Sequence, residues 1–118
     1  MTSRKLAKLI AGLASDKIAQ DIVILDMRKV VNFCDYFVIC SGNTSRQVRA
    51  IAEHIDEELG ECGMPLRFTQ GLKNSDWVVF DAGDVVTHIF QKDVREFYAL
   101  EHLWQEAKKV QLTLSSSK

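Results

Sequence analysis

Asp81 and Asp84 lie close enough along the chain for metal-assisted chemistry, because two neighbouring carboxylates could hold a magnesium ion for phosphoryl transfer. They flank Ala82-Gly83, however, and aspartate favours turns by bonding to nearby backbone amides, so turn chemistry is the simpler reading. Ser41-Gly42-Asn43-Thr44-Ser45, at a strand-to-helix junction, could cradle a phosphate on a helix N-terminus. The segment lacks the glycine-rich pattern and lysine of a P-loop, and a capped helix after a turn accounts for it. His54, His88 and His102 stand apart, and Cys34, Cys40 and Cys62 show no zinc spacing, so no metal site is expected. His88 shares a strand face with Val86 and Phe90 and has no nucleophile at an interpretable distance along the chain. It reads as a half-buried histidine with a local hydrogen bond. No catalytic residue and no cofactor is expected.

A second group of residues has the chemistry of recognition. Trp77 follows Ser75-Asp76 at a strand entrance, and Arg95, Glu96, Tyr98 and Glu101 fall between the apolar positions of a helix. Tryptophan, tyrosine and arginine are enriched at binding hot spots, although aromatic residues also dominate cores.

The elements that must position these residues follow from periodicity. Leu6, Leu9, Ile10 and Leu13 form one stripe of an opening helix. Asp21 to Asp26 and Tyr36 to Cys40 are short β-branched and apolar runs that read as interior strands, buried on both faces. Thr44-Ser45-Arg46-Gln47 fits a capping box, and Val48, Ile51, Ala52, Ile55 and Leu59 continue it at helical spacing until Gly60, Gly63 and Pro65. Leu66 to Thr69 reads as a short strand and Gln70 to Ser75 as a loop. Trp77 to Phe80 and Val85 to Phe90 form an antiparallel hairpin about Asp81-Ala82-Gly83-Asp84, where Gly83 can take positive φ. Asp93 can cap a last helix containing Phe97, Leu100, Leu103, Trp104 and Ala107.

The order α-β-β-α-β-β-β-α predicts an α/β fold, a mixed sheet flanked by helices. A chain of 118 residues with 47% hydrophobic and 26% charged residues suits a single domain over residues 1–110, with residues 111–118 read as a disordered tail. Fifteen basic and sixteen acidic residues nearly cancel, which argues against direct, sequence-specific nucleic-acid binding. Three cysteines without a CxxC pair suit free thiols in a reducing compartment, and no long apolar run suggests a signal peptide or membrane partner. The chain therefore reads as cytoplasmic.

Taken together, Asp35 to Gly42, Ser45-Arg46-Gln47-Val48, Asp76 to Val79, Asp81 to Phe90 and Arg95 to Trp104 closely resemble the ribosomal silencing factor family, also called Iojap. The resemblance spans roughly Leu6 to Trp104. It implies a nucleotidyltransferase-like fold without the catalysis, acting as a translational repressor. The partner it implies is the large ribosomal subunit, bound through ribosomal protein L-fourteen at the face where the small subunit docks, so that occupancy sterically blocks subunit joining. On this resemblance Trp77 is the aromatic anchor, with Asp76, His88, Arg95 and Tyr98 as neighbours on one surface. L-fourteen being basic, Asp76 and Asp81 could assist association. The family's Glu-Gly before the tryptophan is Gln70-Gly71 here, and its Val-His is Thr87-His88, a swap that keeps β-branching. Two other readings stay open: a metal-dependent nucleotidyltransferase using Asp81 and Asp84, and an architectural homodimer paired through strand edges.

Overall fold

The computed structural model describes residues 2–64, 68–70, 76–93 and 108–110. The helix expected from Asp93 to Ala107, with Arg95 and Tyr98 in it, lies outside them apart from its first residue, as do most of the loop before Trp77 and the tail.

Helix α1 runs over Ser3–Asp16, capped by the Thr2 hydroxyl, which accepts from the Lys5 amide at 3.1 Å. Strands β1 (Gln20–Asp26) and β2 (Tyr36–Gly42) pair antiparallel. Helix α2 (Ser45–Glu61) then leads to β3 (Phe68–Gln70), β4 (Trp77–Asp81) and β5 (Val85–Gln91), and β6 (Lys108–Val110) comes last. The sheet is six-stranded and mixed, in the order β3-β4-β5-β2-β1-β6, with β2 and β5 parallel and the other pairs antiparallel. The chain is thus α/β with a mixed sheet, as its pattern predicts, and the β4–β5 hairpin turns at Gly83, whose φ is +88°.

The α2 stripe is buried at each position the spacing predicts: Val48, Ile51, Ala52, Ile55 and Leu59. Its cap differs slightly from a standard capping box. The Thr44 hydroxyl accepts from the Gln47 amide at 3.1 Å, but the Gln47 side-chain oxygen reaches one residue further back, to the Asn43 amide at 2.7 Å. The same side chain donates to the Ile18 carbonyl at 3.0 Å, tying α2 to the α1–β1 turn. That turn holds Ile18 at φ +61°, a left-handed conformation that β-branched isoleucine rarely adopts, and Asp21 in the irregular start of β1 has φ +51°. Helix α2 ends through Gly63 (φ +77°), with the Met64 amide donating to the Leu59 carbonyl. At Gly42 a Cβ would stand 3.0 Å from Val48 Cγ2 and from the Val48 amide nitrogen. The glycine therefore lets strand and helix approach closely, which explains Ser41-Gly42-Asn43 without a phosphate.

Both helices lie on one face of the sheet. There Leu6, Ile10 and Leu13 of α1 and the α2 stripe pack on Ile24, Tyr36, Val38, Cys40, Val78, Phe80, Val85 and Ile89. The other face carries Leu25, Phe37, Ile39 and Phe90, joined by Met27 and Cys34 from the β1–β2 loop and flanked by Val23, Trp77 and Val86.

Two strand expectations need correction. β2 is buried along its whole length, but β1 is buried only at Ile24 and Leu25. Its first half is irregular, with a register shift between Gln20 and Val23, and among the described residues β6 pairs with it from Ile24 to Asp26. β6 itself was not foreseen. Lys108-Lys109-Val110 offers a single apolar residue and no alternation, so pairing with β1, not local preference, makes it a strand.

Candidate partner-binding surface

The register of the central strands brings the recognition residues together. Across β4 and β5, Trp77 stands opposite Phe90 and Val79 opposite His88; across β5 and β2, His88 aligns with Ile39 and Val86 with Phe37. Side chains alternate along a strand, so Trp77, His88, Phe90, Phe37 and Ile39 all fall on the face that α1 and α2 do not cover.

On that face the aromatic rings form one continuous group. Trp77 stacks on Phe90 with centroids 4.9 Å apart and planes 26° apart. His88 meets Phe37 edge-on at 4.8 Å. The Trp77 indole Nε1–H donates to His88 Nδ1 at 3.1 Å. Because Nδ1 accepts, the proton of the neutral imidazole belongs on Nε2. That nitrogen is buried and has no hydrogen-bond partner among the described residues. Burial pushes the imidazole down from 6.5 to about 4, so His88 is neutral at physiological pH. The local hydrogen bond expected of His88 is present, and the side chain is buried, at 8% exposure, where half-burial was expected. Trp77 is half-buried.

Asp76 precedes this group with its side chain exposed, and its carbonyl accepts from the Gln91 amide at 2.8 Å, closing the open end of the hairpin. The structure thus places Asp76, Trp77 and His88 at one end of β4–β5, while Arg95 and Tyr98 lie outside the described residues. At the opposite end of the hairpin Asp81 accepts from the Gly83 amide at 2.7 Å, and the Asp84 carbonyl accepts from the Asp35 and Tyr36 amides. The turn role foreseen for the two aspartates is displayed by the Asp81 side chain, whereas Asp84 is engaged through its backbone. Burial, followed by the charges of Asp35, Asp81 and Asp84, pushes the Cys34 thiol up to about 11, which suits a packing role and not a nucleophile.

Sequence reasoning passed over the loop that closes the other end of the aromatic face. Phe33 is 61% exposed, 6.3 Å from Phe37. Arg28 makes a bidentate pair with Asp26, at 2.9 and 2.7 Å, and lies 5.5 Å from the centroid of the Tyr36 ring. The hydrogen bonds from Arg28 hold the Asp26 carboxyl below its usual range. Nothing in residues 27–35 alone signals an outward phenylalanine, because exposure here depends on how the loop crosses the sheet. Among the described residues one carboxylate group has metal-like proximity, Glu57, Glu58 and Glu61 on the last turns of α2, well away along the chain from Asp81 and Asp84. No helix among them is long and apolar enough to cross a membrane.

Comparison with known proteins agrees with the fold. The family described as "Ribosomal silencing factor during starvation" matches residues 1–118. A protein of Bacillus subtilis named ribosomal silencing factor RsfS is 42% identical over 107 residues, 91% of this chain and 91% of its own. A crystal structure of a Chromobacterium violaceum protein superposes with a TM-score of 0.86 at 30% identity, covering 100% of this chain and 98% of that one. A more distant mouse protein, named for mitochondrial assembly of the ribosomal large subunit, is 29% identical over 81% of this chain and 43% of its own length.

Proposed function

The chain belongs to the ribosomal silencing factor family, and from that premise we propose that it represses translation by seating on the large ribosomal subunit and sterically blocking subunit joining. The partner on the subunit is ribosomal protein L-fourteen, and Trp77 is the anchor. The protein acts by occupancy and not by catalysis.

The observation that carries the reading is the match of the family to the whole chain, with a relative 42% identical along nearly its full length. The mouse relative's name, which refers to the large subunit, supports the choice of subunit. The half-buried Trp77 supports the choice of anchor, because a large ring held by neighbours but still reachable is the usual form of a hot spot. Exposed Asp76 beside it suits a basic partner, where a charge at the rim of an interface mainly speeds association. A net formal charge of -1 is also more compatible with docking on a ribosomal protein than on bare RNA.

Sucrose-gradient sedimentation tests the reading. Purified large and small subunits are mixed with and without the protein, and the expected result is a loss of joined ribosomes with the protein riding on the large subunit. Trp77→Ala should stay folded and leave the large-subunit fraction. Unchanged subunit joining at saturating protein would refute the mechanism, and normal binding by folded Trp77→Ala would refute the anchor.

A further inference from the structure

We infer that His88 is a positioning residue: its Nδ1 lone pair and the Phe90 ring together pin the Trp77 indole in one orientation, pre-set for the large-subunit partner. The inference deepens the reading above and rests on Trp77 being the anchor.

Three observations support it. First, the geometry restrains the indole from two sides. Stacking on Phe90 at 4.9 Å fixes the plane of the ring, and the 3.1 Å bond from Nε1 to His88 fixes which edge faces the sheet. A tryptophan has two side-chain torsions, and these contacts restrain both. Second, His88 cannot itself be a principal contact, since it is 8% exposed, whereas Trp77 is half-buried and can reach outward. The histidine therefore acts through the tryptophan.

Third, the histidine is a poor choice for stability alone. It sits among Phe37, Phe90 and Trp77, and its Nε2 donor is buried without a partner among the described residues. A phenylalanine or leucine there would remove that buried donor, at the cost of the acceptor for the indole N–H of the half-buried Trp77. Residues that break a local rule of this kind concentrate where function needs them. The gain on this reading is pre-organisation, because an anchor already held in its bound orientation loses less freedom on binding.

Three variants test the inference. His88→Phe removes the acceptor and the orphan donor together. His88→Leu also lacks the acceptor and decides the matter if phenylalanine is too large to fold. His88→Asn restores an acceptor, since its amide oxygen stands about where Nδ1 stands. The readouts are thermal stability, hydrogen exchange of the Trp77 indole proton in ¹⁵N-tryptophan-labelled protein, and affinity for purified large subunits. The indole resonance is assigned by Trp77→Phe.

The acceptor-free variants should be at least as stable as wild type, exchange the indole proton about tenfold faster, and bind large subunits about three- to tenfold more weakly. His88→Asn should recover both slow exchange and binding. A purely structural histidine would instead lower stability and leave the affinity of the folded fraction unchanged. If wild type binds and a folded acceptor-free variant binds equally, or its indole exchanges as slowly, the positioning role is overturned alone. If wild type does not sediment with large subunits, the functional reading fails and this role goes with it.

Discussion

Acid should destabilise this protein through His88 over a pH window that lies mostly above the one in which Asp26 acts. The imidazole is held near 4 in the folded state, against 6.5 for an unperturbed histidine. The unfolded chain therefore binds a proton between those values that the folded chain refuses, and stability must fall as pH drops through the window. The difference of 6.5 − 4 = 2.5, at about 1.36 kcal/mol per pKa unit, sets a ceiling of roughly 3 kcal/mol. Between about pH 7 and pH ~4.5 the expected loss is about 2 kcal/mol, with a slope approaching 1.4 kcal/mol per pH unit in mid-window. Against a total stability on the order of 10 kcal/mol for a domain of this size, that loss is readily measured. The assay is urea denaturation at half-unit pH steps on wild type and His88→Asn, taking the difference so that groups common to both cancel. Asp26 also loses stabilising interactions in acid, but its pKa is lowered from 3.8, so its loss runs from around that value downward and lies mostly below the histidine's window. Parallel curves for the two proteins between about pH 4 and pH 6.5 would refute the buried, neutral imidazole.

Three further substitutions have effects that follow from particular atoms. Thr87→Val should stabilise by about 1 kcal/mol, because the hydroxyl is fully buried on the helix side of β5 with no partner among the described residues, and valine keeps the shape; chemical denaturation reads the gain. Ile18→Asn should stabilise by a similar amount, since the 73% exposed side chain buries little and asparagine tolerates the left-handed backbone; the melting temperature should rise by about 4 °C. Gln47→Ala should destabilise by about 1–2 kcal/mol by releasing the Asn43 amide and the Ile18 carbonyl together, and native-state hydrogen exchange should show the loss concentrated at the start of α2.

How far the sequence could be read depended on whether local pattern or long-range pairing decided each element. The α2 stripe and the hairpin about Gly83 were fully legible, because helical spacing and a positive-φ turn are local signals. β6 was illegible, since a strand of two lysines and a valine owes its state to β1. The half-exposed start of β1 was missed because its apolar run is that of a buried strand, while the register shift that interrupts its pairing with β2 is a long-range feature. In the candidate site, strand alternation put His88 beside Phe90, but the bond from Trp77 depends on hairpin register across eleven residues. Counting outward from the Asp81–Asp84 turn to pair Trp77 with Phe90 would have revealed it. Phe33 had no such route, because a loop's path over a sheet leaves no periodicity in the sequence.

The arrangement also bears on how a partner is taken up. A partner meeting the end of β4–β5 encounters a large aromatic ring already held in place. The two faces of the sheet divide the work accordingly. The face under α1 and α2 is almost wholly apolar and supplies the burial that keeps the fold together. The opposite face carries a buried histidine whose Nε2 has no hydrogen-bond partner among the described residues. Replacing His88 with phenylalanine should separate the two functions, giving a protein at least as stable that silences less well. A variant that gained stability without losing affinity would show instead that the histidine has no part in binding.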